Sequence, residues 1–171
     1  RGLGDVYKRQ ILIGISSILS ASEIKGYSIF NYDNNAFSID RAYFQYTDDI
    51  SDELFFKLRY DVGRDSDENG DTKLSTYLKN AYVDWKVDNI GKLSFGLLST
   101  ISYSIQEKTW GYRFISKSSI DKAGFITTAD FGVGFSKKYG GFDLNIQLLN
   151  GEGYKKQDSD EKIKTYIRLM K

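Results

Sequence analysis

Apolar and polar residues alternate along residues 54–62. Successive side chains of a β-strand point to opposite faces, so one face of this segment would be entirely apolar. The other face would carry Phe55, Lys57, Arg59 and Asp61. At the helical period these charges would be spread around the whole circumference, so the alternation predicts a strand. Its apolar face would meet either the core of a soluble sandwich or the lipid around a membrane barrel.

The same alternation recurs along the chain and predicts eight strands. They are residues 24–32, 36–46, 54–62, 78–87, 92–99, 129–136, 142–150 and 162–170. Asp40 falls on the apolar side of the second strand, which is tolerable if that end reaches beyond the hydrocarbon or if a β-bulge shifts the parity. Gly132, Gly134 and Ser136 make the polar face of the sixth strand unusually small. They would fill little of a closed eight-stranded barrel, and so favour a wider one.

The predicted connections differ in length. The short ones are residues 47–53, 88–91 and 138–141, and the long ones are residues 63–77, 100–128 and 151–161. Short turns at one end and long loops at the other are typical of an outer-membrane barrel, and the short link at 33–35 is an exception. No apolar run reaches the ~18 residues of a transmembrane helix. We therefore predict an all-β fold, a transmembrane antiparallel β-barrel with up-and-down strand order.

Composition narrows the range of functions. The 171 residues include 16 glycines, no proline and 15% aromatic residues, which suits one strand-rich domain. The net charge of +1 gives no overall field for nucleic acid, so no nucleic-acid partner is expected. Histidine and cysteine are absent, which removes the commonest acid–base groups, thiol nucleophiles, disulfides and zinc ligands. We therefore expect no enzyme and no cofactor.

The start of the chain does not follow the strand pattern. Residues 1–10 have no initiator methionine and no periodicity, and we interpret them as non-native read-through. Residues 11–22 combine a short apolar run with small residues, which indicates the remnant of a signal peptide, although such a run is equally compatible with a core strand. Residues 23–171 are then the predicted barrel segment.

Several short patches resemble one family of porins. They are QEKTWGYRF at 106–114, DFGVG at 130–134, AY at 42–43, DVG at 61–63 and AYVDW at 81–85. Recurring in order over residues 24–171, they look like the phosphate-selective porins O and P. The resemblance implies a sixteen-stranded trimeric porin whose loop after the fifth strand folds into the pore. Residues 100–128 follow the fifth predicted strand and would be that loop.

The resemblance also implies a function and a location. The protein would lie in the bacterial outer membrane, among its lipids, after export through the periplasm. It would form a water-filled channel for passive diffusion of small hydrophilic solutes or ions, with an anion or phosphate preference as the open question. The eight predicted strands, and an end at Lys171 without a terminal aromatic residue, indicate an N-terminal fragment. The alternative is a small closed eight-stranded barrel that acts as a binding or structural module.

The predicted polar faces supply the candidate pore-lining residues. These are Arg41, Lys57, Arg59, Asp61, Asp84, Lys86, Lys164 and Arg168. The family's anion channel is lined by many arginines and lysines, whereas these faces also carry carboxylates. Two interpretations therefore stay open: Lys57 and Arg59 attract anions, or they belong to a solvated strand face that Asp61 balances.

The loop at residues 100–128 supplies the constriction candidates Glu107, Lys108, Trp110 and Arg113. Lys108 and Arg113 would set the charge at the narrowest point of the pore. Alternatively, the aromatic residues of the loop, such as Trp110, anchor a surface loop by apolar packing.

A weak metal motif lies between the third and fourth strands. Asp65, Asp67, Asn69 and Asp71 match the opening of a calcium loop. The twelfth position is Thr76 rather than glutamate, and the flanking segments are predicted strands instead of helices. We therefore expect no firm metal site there, and a polar surface loop is the alternative.

Overall fold

The computed structural model describes residues 22–33, 35–66, 72–112, 118–156, 159 and 162–171. The predicted read-through and all but the last residue of the predicted signal segment lie outside these residues.

In the described residues eight antiparallel strands form one sheet, and they are neighbours in the order in which they occur along the chain. The strands are β1 (Glu23–Asp33), β2 (Ala36–Asp49), β3 (Leu54–Ser66), β4 (Thr72–Val87), β5 (Gly91–Ser99), β6 (Ala129–Tyr139), β7 (Phe142–Leu149) and β8 (Lys164–Met170). Two helices, α1 (Ile101–Trp110) and α2 (Ser119–Ala123), lie between β5 and β6. The predicted all-β, up-and-down meander is confirmed. In the part of the chain that the structure describes, neither helix has the length and apolar character needed to cross a membrane.

The described sheet is open. Among the described strands, β1 pairs with β2 alone and β8 pairs with β7 alone. A closed eight-stranded barrel would pair its first strand with its last. The alternative of a small closed barrel therefore finds no support in the described strands.

The two faces of the sheet have opposite character. The apolar face is exposed along its length: Phe30 and Phe95 are each 70% exposed, and Ile167 is 69% exposed. The polar face is covered by α1 and holds buried Asp61 and Asn80, which are 2% and 0% exposed. We call the covered face the inner face. A soluble sandwich would bury the apolar face instead, so this arrangement is the one that lipid contact requires.

A β-bulge removes the mismatch at Asp40. Ile29 of β1 lies opposite Arg41, whereas Phe30 lies opposite Ile39, so Asp40 is the extra residue of β2. An extra residue shifts the parity of the strand by one position. Of the two alternatives for Asp40, the strand register shows the β-bulge.

A second bulge, which the sequence pattern did not predict, lies in β4. Arg59 of β3 pairs with Asn80, and Tyr60 pairs with Leu78, so Lys79 is the extra residue. Strict alternation had put Lys79 on the same side as Ala81, the apolar face. The bulge turns it to the inner face instead, where its ammonium group contacts Asp61.

The predicted loop at residues 63–77 is largely wrong, because β3 continues to Ser66 and β4 begins at Thr72. Both strands carry polar residues there, as in the pair Gly63 and Ser75, so hydropathy no longer marks the strand. The antiparallel ladder nevertheless continues, since it satisfies the backbone hydrogen bonds of both segments. For the same reason β2 extends to Asp49, beyond its predicted end.

Gly132 of β6 is a position where only glycine fits. A Cβ atom there would lie 2.0 Å from the backbone oxygen of Leu148 on the neighbouring strand. Gly63 of β3 has open space instead, with nothing within 4 Å of an added Cβ.

We expect Gly132→Ala in the full-length protein to reduce the folded fraction strongly, because the ladder between β6 and β7 must separate to admit the methyl group. Gly63→Ala is the matched control and should fold like the wild type. The folded fraction can be read from heat-modifiable mobility in electrophoresis. Equal folded fractions for the two variants would contradict the close approach of β6 and β7.

The two faces of β8 can be tested with neighbouring residues. Ile167 lies on the apolar face and Tyr166 on the inner face. Ile167→Arg should destabilise the protein in bilayers by about 2–4 kcal/mol, the range for a cation on the lipid side near the midplane. Tyr166→Arg should cost much less, since its side chain points away from lipid. Urea unfolding in lipid vesicles measures both, and equal losses would mean that the faces are assigned wrongly.

Candidate functional site

Asp61 lies at the centre of the inner face. Its Oδ2 is 3.6 Å from Arg41 Nη1 on β2 and 3.3 Å from Lys79 Nζ on β4. The phenol of Tyr154, which follows β7, donates a hydrogen bond to the same oxygen at 3.4 Å. Three separate parts of the chain thus meet at one buried carboxylate. Two cations face one anion, so the group carries a surplus positive charge.

Tyr43 of β2 organises the cations around Asp61. Its hydroxyl accepts hydrogen bonds from Arg41 Nη1 at 2.7 Å and from Lys79 Nζ at 2.8 Å. Its ring centroid lies 5.6 Å from the Arg41 guanidinium, 5.5 Å from that of Arg59 and 4.8 Å from Lys79 Nζ. Such contacts contribute about 0.5–2 kcal/mol each, more when water is excluded. We call Tyr43, Arg41, Arg59 and Lys79 the cationic cluster.

Arg59 and Lys57 lie side by side along β3 on the inner face, as the alternation predicted. Arg59 donates from both Nε, at 2.9 Å, and Nη2 to the amide oxygen of Gln45. Lys57 Nζ lies 5.9 Å from the ring centroid of Tyr82. The ion pairs found among the described residues include neither cation. Their hydrogen-bond and ring contacts are to neutral groups, so neither charge is matched by a direct ion pair within the described residues.

Asp84 of β4 has its own cation. Lys92 Nζ lies 2.5 Å from Asp84 Oδ2, and the hydroxyl of Ser94 donates to Oδ1 at 2.5 Å. This carboxylate is therefore balanced by a neighbour on β5. Lys86 takes no part in that pair, because its ammonium donates to the backbone oxygen of Asp52 at 3.2 Å, at the short-turn end of the sheet.

The two candidates on β8 bind the backbone of other elements. Lys164 is exposed and donates to the backbone oxygen of Gly151 at 3.0 Å. Arg168 Nη1 lies 3.3 Å from the backbone oxygen of Ile101 and 3.4 Å from the hydroxyl of Ser104. Arg168 thus attaches α1 to β8. This role was not predictable from the hydropathy pattern, because α1 was not predicted.

Gln147 of β7 fixes the start of α1. Its Oε1 accepts the backbone N–H of Ile101 at 2.9 Å, and its Nε2 donates to the backbone oxygen of Ser99 at 2.9 Å. Thr100 Oγ1 donates to the backbone oxygen of Thr127 at 2.7 Å, which closes the base of the long connection. The first turn of a helix leaves N–H groups without intrahelical partners, and the side chain of Gln147 satisfies one of them. The helix is therefore held against the inner wall.

The constriction candidates lie on or after this helix. Glu107 and Lys108 of α1, with Tyr103, line a cavity of about 420 Å³ whose opposite wall includes Arg59 and Lys79. Trp110 ends the helix and packs edge-to-face on Tyr112, with ring centroids 5.8 Å apart. That contact joins two exposed rings within the same loop. Arg113 lies outside the described residues. Control of permeation by these side chains stays a prediction.

Three of the four calcium-loop candidates, Asp67, Asn69 and Asp71, also lie outside the described residues. Asp65 belongs to β3, where its backbone pairs with Lys73 of β4. Within the described ranges, no group of acidic side chains is arranged to hold a metal ion.

Sequence reasoning missed Lys79, Gln147 and Tyr154. Lys79 carried a usable signal, since a lysine on the apolar side of a strand indicates a bulge as Asp40 did. Gln147 and Tyr154 carried none, because each acts on a segment distant in sequence. Burial raises the pKa of the Tyr154 phenol above its ordinary value, and the charge of Asp61 raises it further. Tyr154 therefore stays protonated as a hydrogen-bond donor at neutral pH.

No curated protein and no solved structure matches the chain. The family model described as phosphate-selective porin O and P matches residues 19–166, which include all eight strands except the last four residues of β8. This match supports the outer-membrane channel that the inverted faces of the sheet already indicate. The chain belongs to the phosphate-selective porin O and P family.

Proposed function

We propose that the protein forms a water-filled outer-membrane channel for passive diffusion of small hydrophilic solutes and ions, with a preference for anions, phosphate among them. The observation that carries this proposal is the distribution of charged residues on the inner face. Lys57 and Arg59 lie on that face and take part in none of the ion pairs among the described residues, while the opposite face exposes apolar side chains.

The balance of charges on the inner face favours anions. Asp84 is matched by Lys92, and Asp61 is matched twice, by Arg41 and Lys79. One cation of the Asp61 group is therefore in surplus, and Lys57 and Arg59 add two more. Asp130 and Asp143 on the same face are offset in number by Lys86, Lys164 and Arg168, which contact backbone oxygens. In a narrow channel with low-dielectric walls, such fixed charge acts on every passing ion. The negative charge of Glu107 on α1 offsets part of this positive surplus. The positive charge of the neighbouring Lys108 in turn balances Glu107.

Arg59 suits an oxyanion such as phosphate. A guanidinium has five N–H donors in a planar fork that matches carboxylate and phosphate oxygens. Arg59 uses donors on Nε and Nη2 for Gln45, and Nη1 is left for a ligand in the neighbouring cavity. Gln45 also fixes the plane of the guanidinium, which lowers the entropy lost on binding.

The proposal extends to the whole protein. We infer a sixteen-stranded barrel that assembles as a homotrimer in the outer membrane, exported by a signal peptide at residues 11–22. The two free edges of the described sheet support a wider barrel than eight strands would close. An enzymatic role has no support, since the family is one of channels.

The charge assignment predicts ion selectivity. In the full-length protein, Lys57→Glu combined with Arg59→Glu should shift the reversal potential under a salt gradient toward cation preference. The shift should shrink as salt is raised, because the screening length is about 10 Å at 0.1 M. Planar bilayer recordings measure both.

The matched control is Lys137→Glu combined with Lys171→Glu, which makes the same change in charge. Both lysines lie at the short-turn end, with Lys137 reaching the backbone oxygen of Asn89 and Lys171 lying by the ring of Phe142. The control should leave selectivity close to that of the wild type. Unchanged selectivity of the first double variant at low salt, with normal conductance, would exclude Lys57 and Arg59 as determinants and leave the α1 loop as the better candidate.

A further inference from the structure

A second connection besides the α1 segment folds onto the inner face. Residues 151–156 follow β7 and turn inward instead of standing above the sheet. The backbone N–H of Gly151 donates to Asp130 Oδ2 at 2.6 Å, and that of Tyr154 donates to the backbone oxygen of Ala129 at 3.0 Å. The segment thus begins by running along the start of β6.

The side chains of its next residues reach strands β3 and β4 on the same inner face. Tyr154 contacts Asp61 of β3, and Lys155 Nζ lies 3.7 Å from the ring centroid of Tyr77 of β4. Strand β7 and strand β3 are four positions apart in the sheet order. The backbone of the segment stays beside β6, where the N–H of Tyr154 is bonded, and the side chains of Tyr154 and Lys155 reach across the inner face to β3 and β4.

Residues 151–156 are also in contact with the connection that carries α1. Gly153 has a φ of 86°, and an added Cβ would lie 2.5 Å from Thr127 Cγ2. Thr127 also accepts the hydrogen bond from Thr100 at the base of the α1 connection. The two inward segments thus share one contact point and fix each other's position.

We propose that residues 151–156 are a second permeability-determining element of the channel, held on the inner wall by the hydrogen bond between Tyr154 and Asp61. The inference rests on the proposed channel function. The segment narrows the water-filled space beside β4 and brings the charge of Lys155 next to the cationic cluster. Asp61 acts as the positioning residue, since Arg41 and Lys79 hold its carboxylate where the phenol can reach it.

A thiol-labelling experiment tests the position of the segment. Residues 1–171 contain no cysteine, so Lys155→Cys gives a unique thiol in this part of the full-length protein. A bulky cationic thiol reagent should lower the single-channel conductance of this variant. Asp52→Cys, on the exposed turn between β2 and β3, is the control and should label without a change in conductance. Stoichiometric labelling at position 155 with unchanged conductance would overturn the proposal.

A second experiment tests the attachment to Asp61 without measuring current. Tyr154→Phe removes only the phenolic hydroxyl and leaves both cations paired with Asp61. Replacing Asp61 instead would leave two buried cations without their anion and risk misfolding. Amide hydrogen exchange of residues 151–156 should become roughly threefold to tenfold faster, the loss expected for one modest hydrogen bond. Tyr166→Phe, which removes a phenol from the inner face of β8, should leave this exchange unchanged.

The two readouts separate the possible failures. Faster exchange in a protein that forms no channel would refute the proposed function, and with it the role of the segment in permeation, while supporting the attachment. Unchanged exchange in Tyr154→Phe, in a protein that conducts normally, would refute the attachment alone.

Discussion

The main constraint on this structure is that the hydrocarbon of a membrane offers the backbone no hydrogen-bonding partners. Every backbone N–H and C=O group that enters lipid must be paired within the protein, which helices and closed sheets alone achieve. An up-and-down meander pairs the strands inside the sheet with local connections, and closure of the proposed wider barrel would pair the two edge strands. Each strand then needs one apolar face. The exposed Phe30, Phe95 and Ile167 follow directly from that requirement. The polar face is then free to carry charge, because it does not meet lipid.

Since most apolar side chains of the described strands face outward, the inner wall has only a small buried apolar group to hold it together, which includes Leu98, Tyr103 and Leu149. Aromatic rings and paired charges take over this task. Tyr43 binds two cations through its hydroxyl and three through its ring, and Tyr27 packs on it with centroids 4.9 Å apart. Cations stacked on rings keep their charge while losing part of their hydration, so the same contacts that order the wall also preserve its positive potential.

Strand number and facing were predictable because hydropathy alternation reports a local property of each strand. The Asp40 bulge was predictable for the same reason, since it breaks the alternation visibly. The extension of β3 to Ser66 was not, because strand pairing beyond the apolar zone leaves no trace in hydropathy. Helix α1 was missed because its position depends on Gln147 and Arg168, which are 46 and 67 residues from their partner Ile101. Such contacts come from the tertiary fold and have no local signature.

The candidate site illustrates a general limit of reading charge from strand parity. Strand parity assigned eight charged residues to the inner face as equivalent candidates. Their contacts separate those that bind neutral groups from those that are paired with an opposite charge. Arg168 attaches a helix, Lys86 and Lys164 bind backbone oxygens, and Asp61 and Asp84 are neutralised by neighbouring cations. A charge that is held by an opposite charge contributes little field at a distance, because the pair acts as a dipole. Selectivity should therefore follow the charges that no opposite charge holds. These include Lys57 and Arg59, which lie side by side along β3, and also Lys86, Lys164 and Arg168, which bind neutral backbone oxygens.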